Sequence, residues 1–364
     1  MTIKVHLVAA ARPNFMKVAP LYHALTAADG FAPVLVHTGQ HYDANMSDSF
    51  FRDLELPDPD HHLGVGSGSH AEQTGGVMMA YERVAAAERP DWIVVVGDVN
   101  STAACAMVGA KLWLKVAHLE AGLRSGDRRM PEEINRLVTD AIADVLWTPS
   151  PDADENLARE GVAPARISRV GNIMMDSYEL MRAKIAAAQT PAEFGLAPGG
   201  YGVVTLHRPS NVDDAAILAV IAAQIKAAAQ RLPLVFPVHP RTQKQLKAFG
   251  LWDDLAGAEG VRLVAPMSYR PFMSLVSSAR LVLTDSGGVQ EETTYLDIPC
   301  LTLRDNTERP ITLSQGTNRL IKPAQVLDSV ARVLDGDWPH GRKPDYWDGR
   351  TAERIVADLR RRSA

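Results

Sequence analysis

Short apolar runs and longer helical stretches alternate along the chain. Residues 5–10, 34–37, 93–96, 116–119 and 145–148 are rich in Val, Ile, Leu and Ala, too short for helices, and bounded by turn residues. Between them, 77–87, 102–112 and 132–143 carry helical periodicity. Apolar strands alternating with helices predict βαβ units and a parallel sheet covered on both faces. The rhythm pauses at Val170-Gly171-Asn172. A helix over 176–188 and the turn-rich Leu196-Ala-Pro-Gly-Gly200 follow, which sets a domain boundary at 170 or shortly after. The alternation restarts with strands at 203–206, 234–238, 261–264, 281–284 and 300–303, and Asp213 or Asp214 caps a helix over 215–230. The expected fold is α/β, with two doubly wound domains in series, 1–170 and 171–349, and a last helix over 350–364. Ligands of such folds bind at the carboxyl ends of the strands. Two such sets of strand ends are expected to face one cleft.

Composition narrows the function. A net charge of -5 over 364 residues argues against a nucleic-acid partner, whose affinity rests on clustered Lys and Arg. The chain enters its first strand directly from Met1, and no apolar run has membrane-spanning length. The expectation is a cytoplasmic protein without a membrane partner. Cys105 and Cys300 lie in different halves in apolar surroundings and read as buried, reduced thiols. His61-His62, in an Asp- and Pro-rich segment, reads as a solvated loop, and no Cys/His spacing calls for a metal.

The unusual residues fall at strand ends. Leu281 to Glu292 reads as strand, Gly-rich turn and helix. There the backbone N–H groups of a helix start can receive phosphate, and Gly287 and Gly288 let the backbone come close to it. An ordinary strand-to-helix turn is the competing reading. Arg12 and Lys17 follow the first strand, Asp98 the third and Glu120 the fourth. Two carboxylates in one cleft push their pKa values apart, which suits proton transfer, although Asp98 could instead cap the helix that follows. Glu132 and Glu133 open a helix, where carboxylates are favoured anyway. His207 and Arg208 end a core strand and read either as a structural pair or as a phosphate-facing one.

The stretches Gly97-Asp98-Val-Asn-Ser-Thr102, His118-Leu-Glu-Ala-Gly-Leu-Arg124, Met130-Pro-Glu-Glu-Ile-Asn-Arg136, Thr205-Leu-His-Arg-Pro-Ser-Asn211, Thr284-Asp-Ser-Gly-Gly-Val-Gln-Glu-Glu292 and Arg304-Asp-Asn-Thr-Glu-Arg-Pro310 occur in this order. Together they closely resemble the non-hydrolysing UDP-N-acetylglucosamine 2-epimerases. The resemblance implies the GT-B architecture, two Rossmann-like domains with the nucleotide between them. It also implies a homodimer, a C-terminal helix packing back on the N-terminal domain, and a reaction without cofactor. UDP is eliminated to leave a 2-acetamidoglucal, then re-added after C2 is reprotonated on its other face, giving UDP-N-acetylmannosamine. By motif match Asp98, Glu120 and Glu132 are the catalytic carboxylates and His207 stands by the pyrophosphate. Arg12, Lys17 and Arg309 are phosphate-side cations, Ser286 and Gly287 the phosphate turn, and Glu292 the ribose contact. Arg136, His239 and Gly288 complete the expected substrate-binding set. Gln40-His41 keeps half of the second UDP-sugar site that some members carry, whereas 65–70 departs from the other half. The segment 36–47 also resembles the branch acting on UDP-2,3-diacetamido-2,3-dideoxyglucuronic acid, the alternative substrate.

Overall fold

The computed structural model describes residues 2–10, 12–39 and 53–364, without the side chains of Arg12 and Pro13. Gln40 and His41 lie outside the described residues. The chain divides into two units, Met1–Leu180 with Asp345–Ala364, and Met181–Pro344.

Unit 1 is built on seven parallel strands, β1 (Ile3–Ala9), β2 (Phe31–His37), β3 (His61–His62), β4 (Trp92–Val96), β5 (Lys115–Leu119), β6 (Val145–Thr148) and β7 (Ile167–Arg169), in the order β3-β2-β1-β4-β5-β6-β7. Unit 2 has six, β8 (Gly202–Thr205), β9 (Leu234–Pro237), β10 (Val261–Val264), β11 (Leu281–Thr284), β12 (Cys300–Thr302) and β13 (Asn318–Leu320), in the order β10-β9-β8-β11-β12-β13. The central strands are apolar runs because helices cover both their faces; every residue of β4 is buried. In each unit the strand order reverses beside the first strand, between β1 and β4 and between β8 and β11. A crevice opens at the carboxyl ends of the strands at such a switch point.

The structure departs from the sequence reading at the edges. His61-His62 is a short strand paired with β2 rather than a solvated loop. It is held because Leu63 donates to the His37 carbonyl and Leu35 to the Asp60 carboxylate. The division between units falls after Leu180, inside the helix Ile173–Ala188, rather than at 170. The first half of that helix belongs to unit 1 through buried Ile173, Met175 and Ser177, whose hydroxyl bonds the Met16 carbonyl. From the same turn Asp176 accepts the N–H groups of Thr351 and Ala352 and so caps the last helix, Thr351–Ser363. That helix is fastened to unit 1 by the indoles of Trp147, on Asp358, and Trp92, on Ser363. Between the two candidates for the helix Ala215–Ala229, Asp214 is the cap, and Asp213 pairs with Arg241 instead. Cys105 and Cys300 are buried free thiols. Among the described residues no helix is long and apolar enough to cross a membrane.

Candidate active site

In unit 1 the switch point gathers charge. Val96 of β4 pairs with Leu119 of β5, so Asp98 and Glu120 leave neighbouring strand ends. Between them Gly97 sits at φ 68, where a Cβ would stand 3.3 Å from the Lys17 amino group and 3.4 Å from the Glu120 carboxylate. Glu120 is itself in the left-handed region, at φ 71. For a non-glycine residue this costs about 1–3 kcal/mol and persists only when its surroundings impose it. Its carboxylate is buried at 5% exposure. One oxygen is paired with Lys17, and the other, Oε1, has no hydrogen-bond partner among the described residues. Lys17, expected at the phosphates, is therefore engaged by a carboxylate.

Asp98 does not cap the helix Asn100–Lys111; the capping position is Val99, whose side chain makes no such bond. Its carboxylate is paired with Arg136 instead. Arg136, expected on the substrate, is buried between Asp98 and Glu133, 3.0 Å from the latter. Glu133 also accepts from the Ser125 and Gly126 N–H groups and the Ser125 hydroxyl. Burial works against its charge, but these donors outweigh it and hold the carboxyl below the usual range. Asn135 bonds the Asp98 carbonyl and the Asn100 side chain. Glu132, by contrast, is exposed in the first turn of the helix Pro131–Ile142. The Arg12 side chain lies outside those described.

In unit 2, His207, His239 and Ser286 line one cavity of about 220 Å³, with Thr205, Phe272 and Val289. His207 places Nδ1 2.9 Å from Asp285, and the His207 and Arg208 N–H groups and the Asn211 amide all donate to the same carboxylate. Asp285 is fully buried, which opposes its charge, yet the His207 ring and the other donors keep it ionised below the usual range. With Nδ1 committed, Nε2 is the nitrogen left for a ligand. His239 starts the helix Pro240–Ala248 by accepting the Arg241 N–H, its ring 5.7 Å from that of His207. Partial burial, and then the His207 charge, lower its pKa.

The helix Gly287–Leu296 begins at Ser286 without a side-chain cap, so its first N–H groups are open to an anion. A Cβ on Gly287 would come within 2.8 Å of the Arg309 guanidinium, so the missing side chain makes room for that cation. Gly288 faces open space. Arg309 lies 2.7 Å from Glu291 and is brought there by the Arg304–Glu308 fork, two contacts of 2.8 Å. Glu292 is buried one residue further on, and burial, helped by the Glu291 charge against a Tyr269 hydrogen bond, raises its carboxyl to about 8. Folded protein thus keeps the proton to about pH 8, whereas an unfolded chain releases it near pH ~4.3. The native state binds the extra proton between those limits, so this contribution to stability is present at low pH and lost as pH rises through about 8. Glu292→Gln is expected to flatten the fall in melting temperature as pH rises from ~4.3 to about 8, and parallel pH profiles for both proteins over that range would contradict it.

Sequence reasoning found the strand-end residues but missed Asp285 and Glu133. For Asp285 a signal existed, since a carboxylate directly after a buried strand needs partners. Glu133 had none, because acidic residues at a helix start are common.

Unit 1 thus holds carboxylates beside cations at its strand ends, and unit 2 an open helix start beside a histidine-lined cavity. Residues 23–360 match the family model described as UDP-N-acetylglucosamine 2-epimerase. The chain belongs to this epimerase family, whose solved members share its GT-B fold. It is 41% identical to the UDP-N-acetylglucosamine 2-epimerase of Methanocaldococcus jannaschii, over 98% of this chain and 99% of that one. It is 37% identical to the UDP-2,3-diacetamido-2,3-dideoxy-D-glucuronate 2-epimerase of Pseudomonas aeruginosa, with 98% and 99% covered. The crystal structure of the Methanocaldococcus jannaschii UDP-GlcNAc 2-epimerase in complex with UDP-GlcNAc and UDP superposes with a TM-score of 0.86, at 39% identity, covering 99% of this chain and 100% of that one.

Proposed function

We propose that this protein interconverts UDP-N-acetylglucosamine and UDP-N-acetylmannosamine, as a homodimer, by eliminating and re-adding UDP. The observation that supports this most is the placement of Asp98 and Glu120 on adjacent strand ends, each against a cation. The C2 proton of the sugar has no neighbouring carbonyl and is not acidic. Its removal by a carboxylate is coupled to loss of UDP from C1, which leaves a 2-acetamidoglucal. A protonated carboxyl then returns a proton to the opposite face of C2, and the UDP oxygen reforms the bond to C1. No hydride moves, so no nicotinamide is required. The carboxylates of unit 1 hold and move the proton. His207, Arg309 and the N–H groups at Gly287 take the charge that develops on the departing pyrophosphate.

The 37% identity to the Pseudomonas aeruginosa enzyme supports a second reading, a diacetamido uronic acid as the sugar. Incubation with each UDP-sugar in D₂O distinguishes them. The C2 proton signal of the true substrate is expected to disappear as the epimer grows, with UDP-N-acetylglucosamine the faster. Exchange with neither sugar, or release of free sugar and UDP, would rule the reading out.

A further inference from the structure

The helix Pro131–Ile142 carries a buried polar stripe, Glu133, Arg136 and Asp140, spaced three and four residues apart so that they share one face. Arg136 reaches Asp98 and is itself held by Glu133, as described above. Asp140, at 1% exposure, has a separate set of partners. One oxygen is 2.6 Å from His118 Nδ1, and the other accepts the Gly122 N–H at 3.0 Å and lies 2.8 Å from Arg124. His118, also fully buried, turns its Nε2 to the Gly97 carbonyl at 2.7 Å. A carbonyl only accepts, so Nε2 carries a proton, and Nδ1 faces a carboxylate that burial opposes but His118, Arg124 and Gly122 keep ionised.

This network touches two turns. Gly97 precedes Asp98, and Gly122 follows Glu120 by two residues. Gly97, Glu120 and Gly122 are all left-handed, at φ 68, 71 and 79. The two glycines adopt that region freely, whereas Glu120 between them keeps it only because its surroundings impose it. At Gly122 the backbone is also wedged against Ala153, whose carbonyl oxygen would lie 2.5 Å from a Cβ. We propose that Asp140, directly at Gly122 and through His118 at Gly97, is a positioning residue that fixes the separation of the Asp98 and Glu120 carboxylates. The inference rests on the reading that these two carboxylates do the proton chemistry. It adds that their spacing is set from a helix neither belongs to.

The test uses the full-length protein and the UDP-sugar that the wild type turns over. Asp140→Ala removes both ties and is expected to lower kcat about 100-fold, the cost of a misplacement of roughly 1 Å. KM and UDP affinity should stay within about twofold of wild type. Asp140→Asn can still accept the Gly122 N–H and donate to a neutral His118 that keeps its Gly97 bond, so it should recover most of the rate. A buried charge that only stabilised the fold would lower melting temperature and active fraction without this split between kcat and KM and without rescue by Asn. His118→Asn, which keeps the Asp140 contact but cannot reach Gly97, serves if the alanine variant does not fold. It is expected to lose kcat while still binding UDP. Wild-type kcat in folded Asp140→Ala or His118→Asn overturns the inference alone. A wild type inert toward every UDP-sugar removes the functional reading and this inference with it.

Discussion

Glu120→Gln is expected to lower kcat for epimerisation by about two to four orders of magnitude, the range for a group that transfers a proton. UDP affinity should change little, because the open helix start and His207 lie in the other unit. The argument is geometric first. Glu120 is buried, holds a left-handed backbone, commits one oxygen to Lys17 and has no partner for Oε1 among the described residues. A left-handed backbone at a non-glycine residue is costly, and strain of this kind concentrates where function demands it. Glutamine keeps the shape, loses the base and leaves the Lys17 charge uncompensated. Asp98→Asn should act in the same direction, since it removes one of the two carboxylates that hold Arg136, and Glu132→Gln tests the exposed third carboxylate. Steady-state kinetics with a calorimetric UDP titration decide the matter, and a Glu120→Gln enzyme with wild-type turnover would take Glu120 out of the mechanism.

His207→Ala is the second large effect expected, a fall in kcat of about 10²- to 10³-fold, typical of losing one preplaced donor to a developing oxyanion. Its Nδ1 is fixed by Asp285, and the ring stands on the wall of the cavity beside Ser286. A donor so held costs no reorganisation as charge builds on the leaving phosphate oxygen. UDP binding should weaken less than kcat falls, since Arg309 and the N–H groups at Gly287 remain. Asp285→Asn should reproduce part of the loss by releasing the ring. Normal turnover in His207→Ala would leave the histidine with a structural role only.

Much of this protein was legible in its sequence because the signals were local. Strands such as β4 and β11 are buried on both faces and so are written as unbroken apolar runs. A parallel strand must end in a turn at the ligand-bearing side, so Asp98, Glu120 and His207 could be placed by position alone. The edge strands β3, β7 and β13 escaped notice, since three residues or fewer with polar side chains carry no period. The boundary near 170 slid to 180 because one continuous helix serves both units.

What the sequence could not supply were the partners. Lys17 meets Glu120 across 103 positions, Arg136 meets Asp98 across 38, and Asp285 receives the His207 N–H across 78. Each pairing follows from the order and register of strands that are distant in the chain. Residue type at one position says which bonds a side chain can make. Only the folded sheet decides which acceptor lies within reach, and in this structure it sets Lys17 and Arg136 against the two carboxylates.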